Sequence, residues 1–218
     1  MKRGKWALFT VVPNDYPVAC EAGANCKGVD VDKLQTQATV LIIPGLREHV
    51  LQHWQTLLEA KLSKVRSVPP LEACKLSCAA RVEAIQRELE QIDGPVILVA
   101  HSAGVLMVAH WAARYDRPIK GALLVAPPDL EANWPENYPT PDSLRANGWN
   151  PLPKGKLPFR SILAGSSNDH LASLDAVTRM AQDWGSALVN LGAVGHLNPA
   201  SGYGEWPLAE DFIDELDL

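Results

Sequence analysis

Cysteine is scarce in this sequence, long apolar runs are missing, and positive charge is nowhere concentrated. Each lack excludes something. Four cysteines in 218 residues (Cys20, Cys26, Cys74 and Cys78) are too few for a disulfide framework in a chain of this length. Their C-x5-C and C-x3-C spacings are not the C-x2-C pairs of zinc sites, and no pair of histidines completes them. The expectation is free thiols in a reducing cytoplasm, with no metal. No apolar stretch approaches the ~20 residues a bilayer requires. Lysine and arginine number 20 against 25 acidic residues, for a formal net charge of −5. That balance, without a basic block, argues against nucleic acid or an anionic membrane as partner. Lys2 and Arg3 ahead of Trp6–Val12 resemble a signal peptide only superficially. Pro13-Asn-Asp15 interrupts the apolar run before any cleavage site.

What is present begins at about residue 39. Residues 1–38 mix Asn, Asp, Gly, Pro and Lys without period and read as an N-terminal extension. Residues 39–218 then alternate two patterns and read as one domain. Apolar runs at 39–43, 65–68, 96–100, 121–126, 159–164 and 187–191 have the length of buried strands. Between them lie helical periodicities. One carries Val50, Trp54, Leu57, Leu58 and Leu62, and another spans 79–92 through Val82, Ile85, Leu89 and Ile92. A nearly all-apolar helix spans about 103–115. Leu171, Leu174, Val177, Ala181 and Trp184 mark a later one, and a last helix begins at Pro207. Apolar strands alternating with helices predict an α/β fold: a doubly wound, mainly parallel sheet of about six strands with helices on both faces and no separate cap domain. Ligands of such sheets bind beyond the carboxyl ends of the strands.

The stretch Val96-Ile-Leu-Val-Ala100-His101-Ser102-Ala103-Gly104 carries the chemistry. A serine on a sharp strand-to-helix turn is a nucleophile elbow, and the strained turn demands small residues two before and two after it. Ala100 and Gly104 meet that demand. A serine hydroxyl is a weak nucleophile and needs a histidine oriented by a carboxylate, in the chain order Ser, Asp or Glu, His. Asp169 follows the strand at 159–164, and His196 follows the last strand. Asp129, after the fourth strand, is the weaker candidate acid. His49 and His170 are also in loops, His53 and His110 read as helical, and His101 sits beside the nucleophile. Two backbone N–H groups are needed for an oxyanion. Ala103 at the start of the helix and Leu46 in the loop after the first strand are the candidates. Residues 127–158 hold eight of the seventeen prolines together with Trp134, Tyr138 and Trp149. A loop of this length reads either as a wall of the cleft or as a stiffened surface segment with buried tryptophans.

Taken together, Ile43-Pro-Gly-Leu-Arg47, His53-Trp-Gln55, Val99-Ala-His-Ser-Ala-Gly104, His110-Trp-Ala112, Leu124-Val-Ala-Pro-Pro-Asp129, Ser166-Ser-Asn-Asp169, Trp184-Gly-Ser186, Gly195-His-Leu-Asn198 and Ser201-Gly-Tyr-Gly-Glu-Trp-Pro207 form a set. The set resembles the small serine hydrolases typified by retinoblastoma-binding protein nine and the bacterial YdeN proteins. The resemblance runs from about residue 39 to the end. It implies a lidless α/β-hydrolase with a Ser-Asp-His triad on Ser102, Asp169 and His196, acting on small esters or amides without a cofactor. Pro69–Ser77 lacks the Asp-Trp that members often carry, and residues 1–38 have no counterpart in the family core. The resemblance also implies that His53-Trp54 and Trp206 pack the sheet's flanks; the closeness of Tyr203 and Trp206 to His196 in sequence gives those two a second reading, at the edge of the cleft. Two other readings use the same residues: a binding protein on a hydrolase scaffold, and an acyltransferase.

Overall fold

The computed structural model describes residues 33–218. The expected N-terminal extension, the Trp6–Val12 run, Cys20 and Cys26 therefore fall mostly or wholly outside the described residues. Six strands form a single sheet: β1 (Thr39–Ile43), β2 (Val65–Ser67), β3 (Val96–His101), β4 (Gly121–Val125), β5 (Ser161–Gly165) and β6 (Ala187–Asn190). They lie in the order β2-β1-β3-β4-β5-β6, and every neighbouring pair is parallel. This is the six-stranded parallel sheet, covered by helices on both faces, that the strand-helix alternation predicts.

Strand side chains alternate between two cores. Leu41, Ile43, Leu98, Ala100, Leu124 and Leu163 join α2 (Cys78–Glu90), α3 (Ala103–Ala112) and α5 (Leu174–Trp184) on one face. Val40, Ile42, Ile97, Val99, Leu123 and Ile162 join α1 (Trp54–Lys61) and α6 (Leu208–Asp217) on the other. A strand covered on both faces has no polar side, which is why β1, β3 and β4 read as continuous apolar runs. β6 departs from that pattern. It is an edge strand whose residues alternate half-buried and exposed, with Leu188 among the exposed.

Most helices start on a side-chain cap. Ser77 accepts the N–H of Ala80, and Ser173 accepts that of Ala176. The first helix begins later than its periodicity suggests. His53 caps α1 through Nδ1, which accepts the N–H of Gln55, so His53 lies at the helix boundary and not within it. Val50 precedes the helix in an exposed turn. Residues 127–158 carry no helical period, yet a short helix α4 (Pro141–Ala146) forms there, capped by Thr140. Residues just ahead of β1 are tied in as well. Leu34 bridges to Leu62, and the N–H groups of Gln37 and Ala38 donate to the Asp217 carboxylate. No helix among the described residues is long and apolar enough to cross a membrane.

The strand order reverses direction between β1 and β3, so the loops leaving their carboxyl ends diverge and open a crevice. Gly45 and Leu46 leave β1, and Ser102 and Ala103 leave β3, at that crevice.

Candidate active site

Ser102 sits at φ 57°, ψ −129°, a region that L side chains rarely occupy. Its N–H donates to the carbonyl of Val125 at 2.9 Å, which ties the strained residue to β4. The helix that follows begins so close to β1 that a Cβ on Gly104 would stand 2.4 Å from the Ile43 carbonyl oxygen and 2.9 Å from that of Pro44. Both obstacles are backbone, so nothing flexible can yield. Gly104→Ala is expected to destabilise the fold by at least the ~1–3 kcal/mol of ordinary overpacking and to remove most activity. Chemical denaturation with a parallel activity assay checks this. The wall opposite Ser102 is close as well, though less so: a Cβ on Gly45 would lie 3.1 Å from the Ser102 Cβ.

Three side chains meet at the end of the sheet. Ser102 Oγ lies 2.9 Å from His196 Nε2, and His196 Nδ1 lies 2.7 Å from Asp169 Oδ2. The second carboxylate oxygen, Oδ1, accepts the N–H of Leu171 at 2.9 Å, and the Asp169 side chain is 2% exposed. This chain of contacts has the connectivity of an acid that orients an imidazole and an imidazole that abstracts a hydroxyl proton. Asp129 is elsewhere engaged: its Oδ1 accepts the N–H of Glu131 within its own turn.

The loops bearing Asp169 and His196 are joined by residues with no individual signal in the sequence. Asn168 Oδ1 accepts the Ser166 hydroxyl at 2.9 Å and the Gly195 N–H at 2.6 Å. Ser166 Oγ in turn accepts the Val194 N–H. The His196 N–H donates to Ser201 Oγ, whose hydroxyl donates to Asn198 Oδ1. Gln55, buried beneath the site, donates through Nε2 to the carbonyls of Ile43 and Val99 and so clamps β1 to β3. Asn168, Asn198, Ser201 and Gln55 all lie inside the quoted motifs. Their signal was position in the motif, because an amide or hydroxyl carries no periodicity.

From His196 downward three histidine rings lie in a row, each tilted against the next. His101 lies 4.9 Å from His196 and 4.6 Å from His53, centroid to centroid. His101 Nε2 is 2.9 Å from the His196 carbonyl oxygen, which requires an Nε2–H donor on His101. Burial, followed by the nearby His196 and His49, pulls His53 down to about 4. Burial pushes His101 well below the ordinary histidine value, with His196 and His53 adding to the effect. Both rings are therefore neutral near pH 7. In the unfolded chain they take up protons as pH falls through about 6.5, whereas the folded state resists. Stability is thus lost as pH drops from about 6.5 toward 4, with His53 contributing on the order of 3 kcal/mol over that window. His53→Asn, which keeps a capping acceptor, should show a shallower fall in unfolding free energy between pH 7 and pH 4.5 than the parent.

The cleft over Ser102 encloses about 530 Å³. Its near wall is Gly45, Leu46, Ala103 and His196, and its far wall comes from the proline-rich segment, through Pro128, Trp134 and Tyr138. Both readings of that segment hold in part. Trp134 and Tyr138 face the cleft, while Trp149 is fully buried and donates through Nε1 to the Leu76 carbonyl. Tyr138 also meets His170, hydroxyl to Nε2 at 3.2 Å, and its ring lies under Arg47. Trp206 packs on the α1 and α6 face as the resemblance implies, edge-on to Trp54 at 4.9 Å, and Tyr203 packs on the same face and not at the cleft edge. The remaining histidines are accounted for: His49 pairs with Glu59, and His110 contacts the Trp149 carbonyl. Cys74 is exposed and Cys78 buried, both as free thiols. No group of three or more metal-ligating side chains clusters among the described residues.

A six-stranded parallel sheet with a strained serine at the turn from its central strand into a buried helix defines an α/β-hydrolase. The serine hydrolase family model matches residues 40–215, and the chain belongs to that family. Among solved structures, a YdeN-like hydrolase from Pectobacterium atrosepticum is 28% identical with a TM-score of 0.70, over 84% of this chain and 94% of that one. The ydeN gene product of B. subtilis is 16% identical with a TM-score of 0.67, over 83% and 98%. A thermophilic esterase from Thermogutta terrifontis shares the fold at 15% identity and a TM-score of 0.58, over 84% and 92%. No curated protein matches the sequence.

Proposed function

We propose that the protein hydrolyses small carboxylic esters through an acyl-enzyme formed on Ser102. The observation that carries this reading is the continuous path from Asp169 Oδ2 to His196 Nδ1 at 2.7 Å and from His196 Nε2 to Ser102 Oγ at 2.9 Å. Ser102 Oγ attacks the carbonyl carbon while His196 Nε2 takes its proton, and Asp169 steadies the imidazolium that forms. The N–H groups of Leu46 and Ala103 hold the oxyanion. Both residues line the cleft beside Ser102, and neither N–H has a hydrogen-bond acceptor among the described residues. Return of the proton from His196 expels the alcohol. Water, deprotonated by the same nitrogen, then attacks the acyl carbon, and the acid leaves as Ser102 regains its proton. The chemistry asks nothing of a cofactor, and the same steps serve an amide at a slower rate.

A panel of chromogenic esters of graded acyl length tests the proposal. Turnover with saturation, and an initial burst where deacylation is slow, is the expected result. Folded protein that turns over no ester in the panel would favour a binding protein on a hydrolase scaffold. Product appearing only when an alcohol or amine acceptor is added would favour acyl transfer.

A further inference from the structure

Histidines aside, the charged side chains that line the cleft are Arg47, Glu48, Lys75 and Arg81. Three cations against one carboxylate give this opening a formal charge of +2, in a chain whose net charge is −5. The single carboxylate is heavily shared. Glu48 Oε1 accepts the Leu71 N–H at 3.1 Å and stands 3.5 Å from Arg81 Nη2, while Oε2 is 3.8 Å from Lys75 Nζ. Arg47 has no carboxylate partner among the described residues. Its guanidinium lies over the Tyr138 ring, 5.0 Å from the centroid, which attracts the charge without neutralising it.

Arg81 is the telling member. Its side chain is 7% exposed, and it donates from Nε to the Lys75 carbonyl at 2.7 Å. A guanidinium has five N–H donors. Those on the terminal nitrogens have only the long approach to Glu48 among the described residues. Withdrawing a guanidinium from water is costly unless anionic or polar acceptors meet it, and burial lowers its proton affinity despite Glu48. The rest of the cleft near Ser102 is mainly apolar, with Leu46, Leu76, Trp134 and Leu171 among its lining, so charge there acts through a medium of reduced polarity.

We infer that the preferred substrate carries an anionic group away from its scissile bond, held by Arg81, Lys75 and Arg47. The inference rests on the hydrolase reading above and names the substrate class for it. Carboxylate and phosphate both suit a guanidinium fork flanked by further cations, and either source is admitted.

Two matched pairs of esters test it. The first compares 4-nitrophenyl hexanoate with the 4-nitrophenyl half-ester of adipic acid, which places a carboxylate on the acyl side. The second compares phenyl acetate with 4-acetoxyphenyl phosphate, which places a phosphate on the alcohol side. Rates are normalised to hydroxide-catalysed hydrolysis of each ester. In at least one pair the anionic member should win in kcat/KM by about ten- to a hundred-fold, an advantage that shrinks as salt is raised. The winning pair identifies the group. Arg81→Gln should cut the ratio, but that buried change risks the fold. The double variant Arg47→Gln/Lys75→Glu alters side chains nearer the solvent and takes the cleft from +2 to −1. It should abolish or invert the preference. An active wild type with no anionic preference in either pair overturns the inference while leaving the hydrolase reading intact. So does a double variant that keeps the wild-type ratio. Absence of any turnover, together with absence of fluorophosphonate labelling, overturns the hydrolase reading and this inference with it.

Discussion

Ser102→Ala is expected to lower ester turnover by roughly five to six orders of magnitude, the scale on which loss of the nucleophile acts in a serine hydrolase. The change should leave the fold intact. Ser102 Oγ makes a hydrogen bond only to His196 among the described residues, and the backbone tie from the Ser102 N–H to Val125 survives the substitution. Alanine keeps the Cβ that this strained turn already accommodates and adds no bulk. Circular dichroism and thermal unfolding like those of the parent, with turnover at background, is the expected pair of results. A preparation free of contaminating esterase that keeps substantial activity would mean that another group attacks the carbonyl.

Asp169→Asn should cost about four orders of magnitude in kcat, and for a different reason. The Asp169 carboxylate accepts the Nδ1 proton of His196, which leaves Nε2 free to accept from Ser102. An amide whose NH2 turns toward the ring makes Nδ1 the acceptor and moves the ring proton to Nε2. That nitrogen then donates to Ser102 and can no longer act as base. Because the carboxylate is nearly fully buried, solvent cannot stand in for it. Asp129→Asn serves as the control. Among the described residues the Asp129 carboxylate bonds only within its own turn, and its backbone tie to the Leu171 carbonyl survives the change, so activity close to wild type is expected. A reversal, with Asp129→Asn crippling and Asp169→Asn mild, would assign the acid to the fourth strand.

Much of this architecture was legible because burial on both faces writes a strand as an unbroken apolar run. Thr39–Ile43, Val96–His101 and Gly121–Val125 are of that kind, and the parallel sheet follows from them. Where burial is one-sided the text is fainter. β6 at the sheet edge alternates, and β2 has only three residues. Val50 fell in phase with α1 by coincidence of spacing, because the turn ahead of His53 happens to present an apolar residue four positions before Trp54. α4 was hidden by proline, whose place at the first turn of a helix is compatible with helix but reads as a break.

The candidate site divides along similar lines. Ser102, Asp169 and His196 were readable because each follows a strand end, and parallel strands bring their carboxyl ends to one rim. Side chains that act through single hydrogen bonds to distant backbone leave no such trace. Gln55 reaches carbonyls 12 and 44 residues away, and Asn168 reaches an N–H 27 residues on. The aromatic edge of the cleft lies at Trp134 and Tyr138, in the segment that one of its two readings makes a wall, and not at Tyr203 and Trp206. Tyr203 and Trp206 are close to His196 in sequence, but the turn at Gly202 carries the chain back across the α1 face.

One measurement reaches the nucleophile directly. The protein is treated with a fluorophosphonate, digested, and the peptides are mapped by mass spectrometry. A single stoichiometric adduct on Ser102 is expected, absent from Ser102→Ala and slowed in Asp169→Asn. An adduct on another residue, or folded protein that stays unlabelled, would contradict the role of Ser102 as nucleophile.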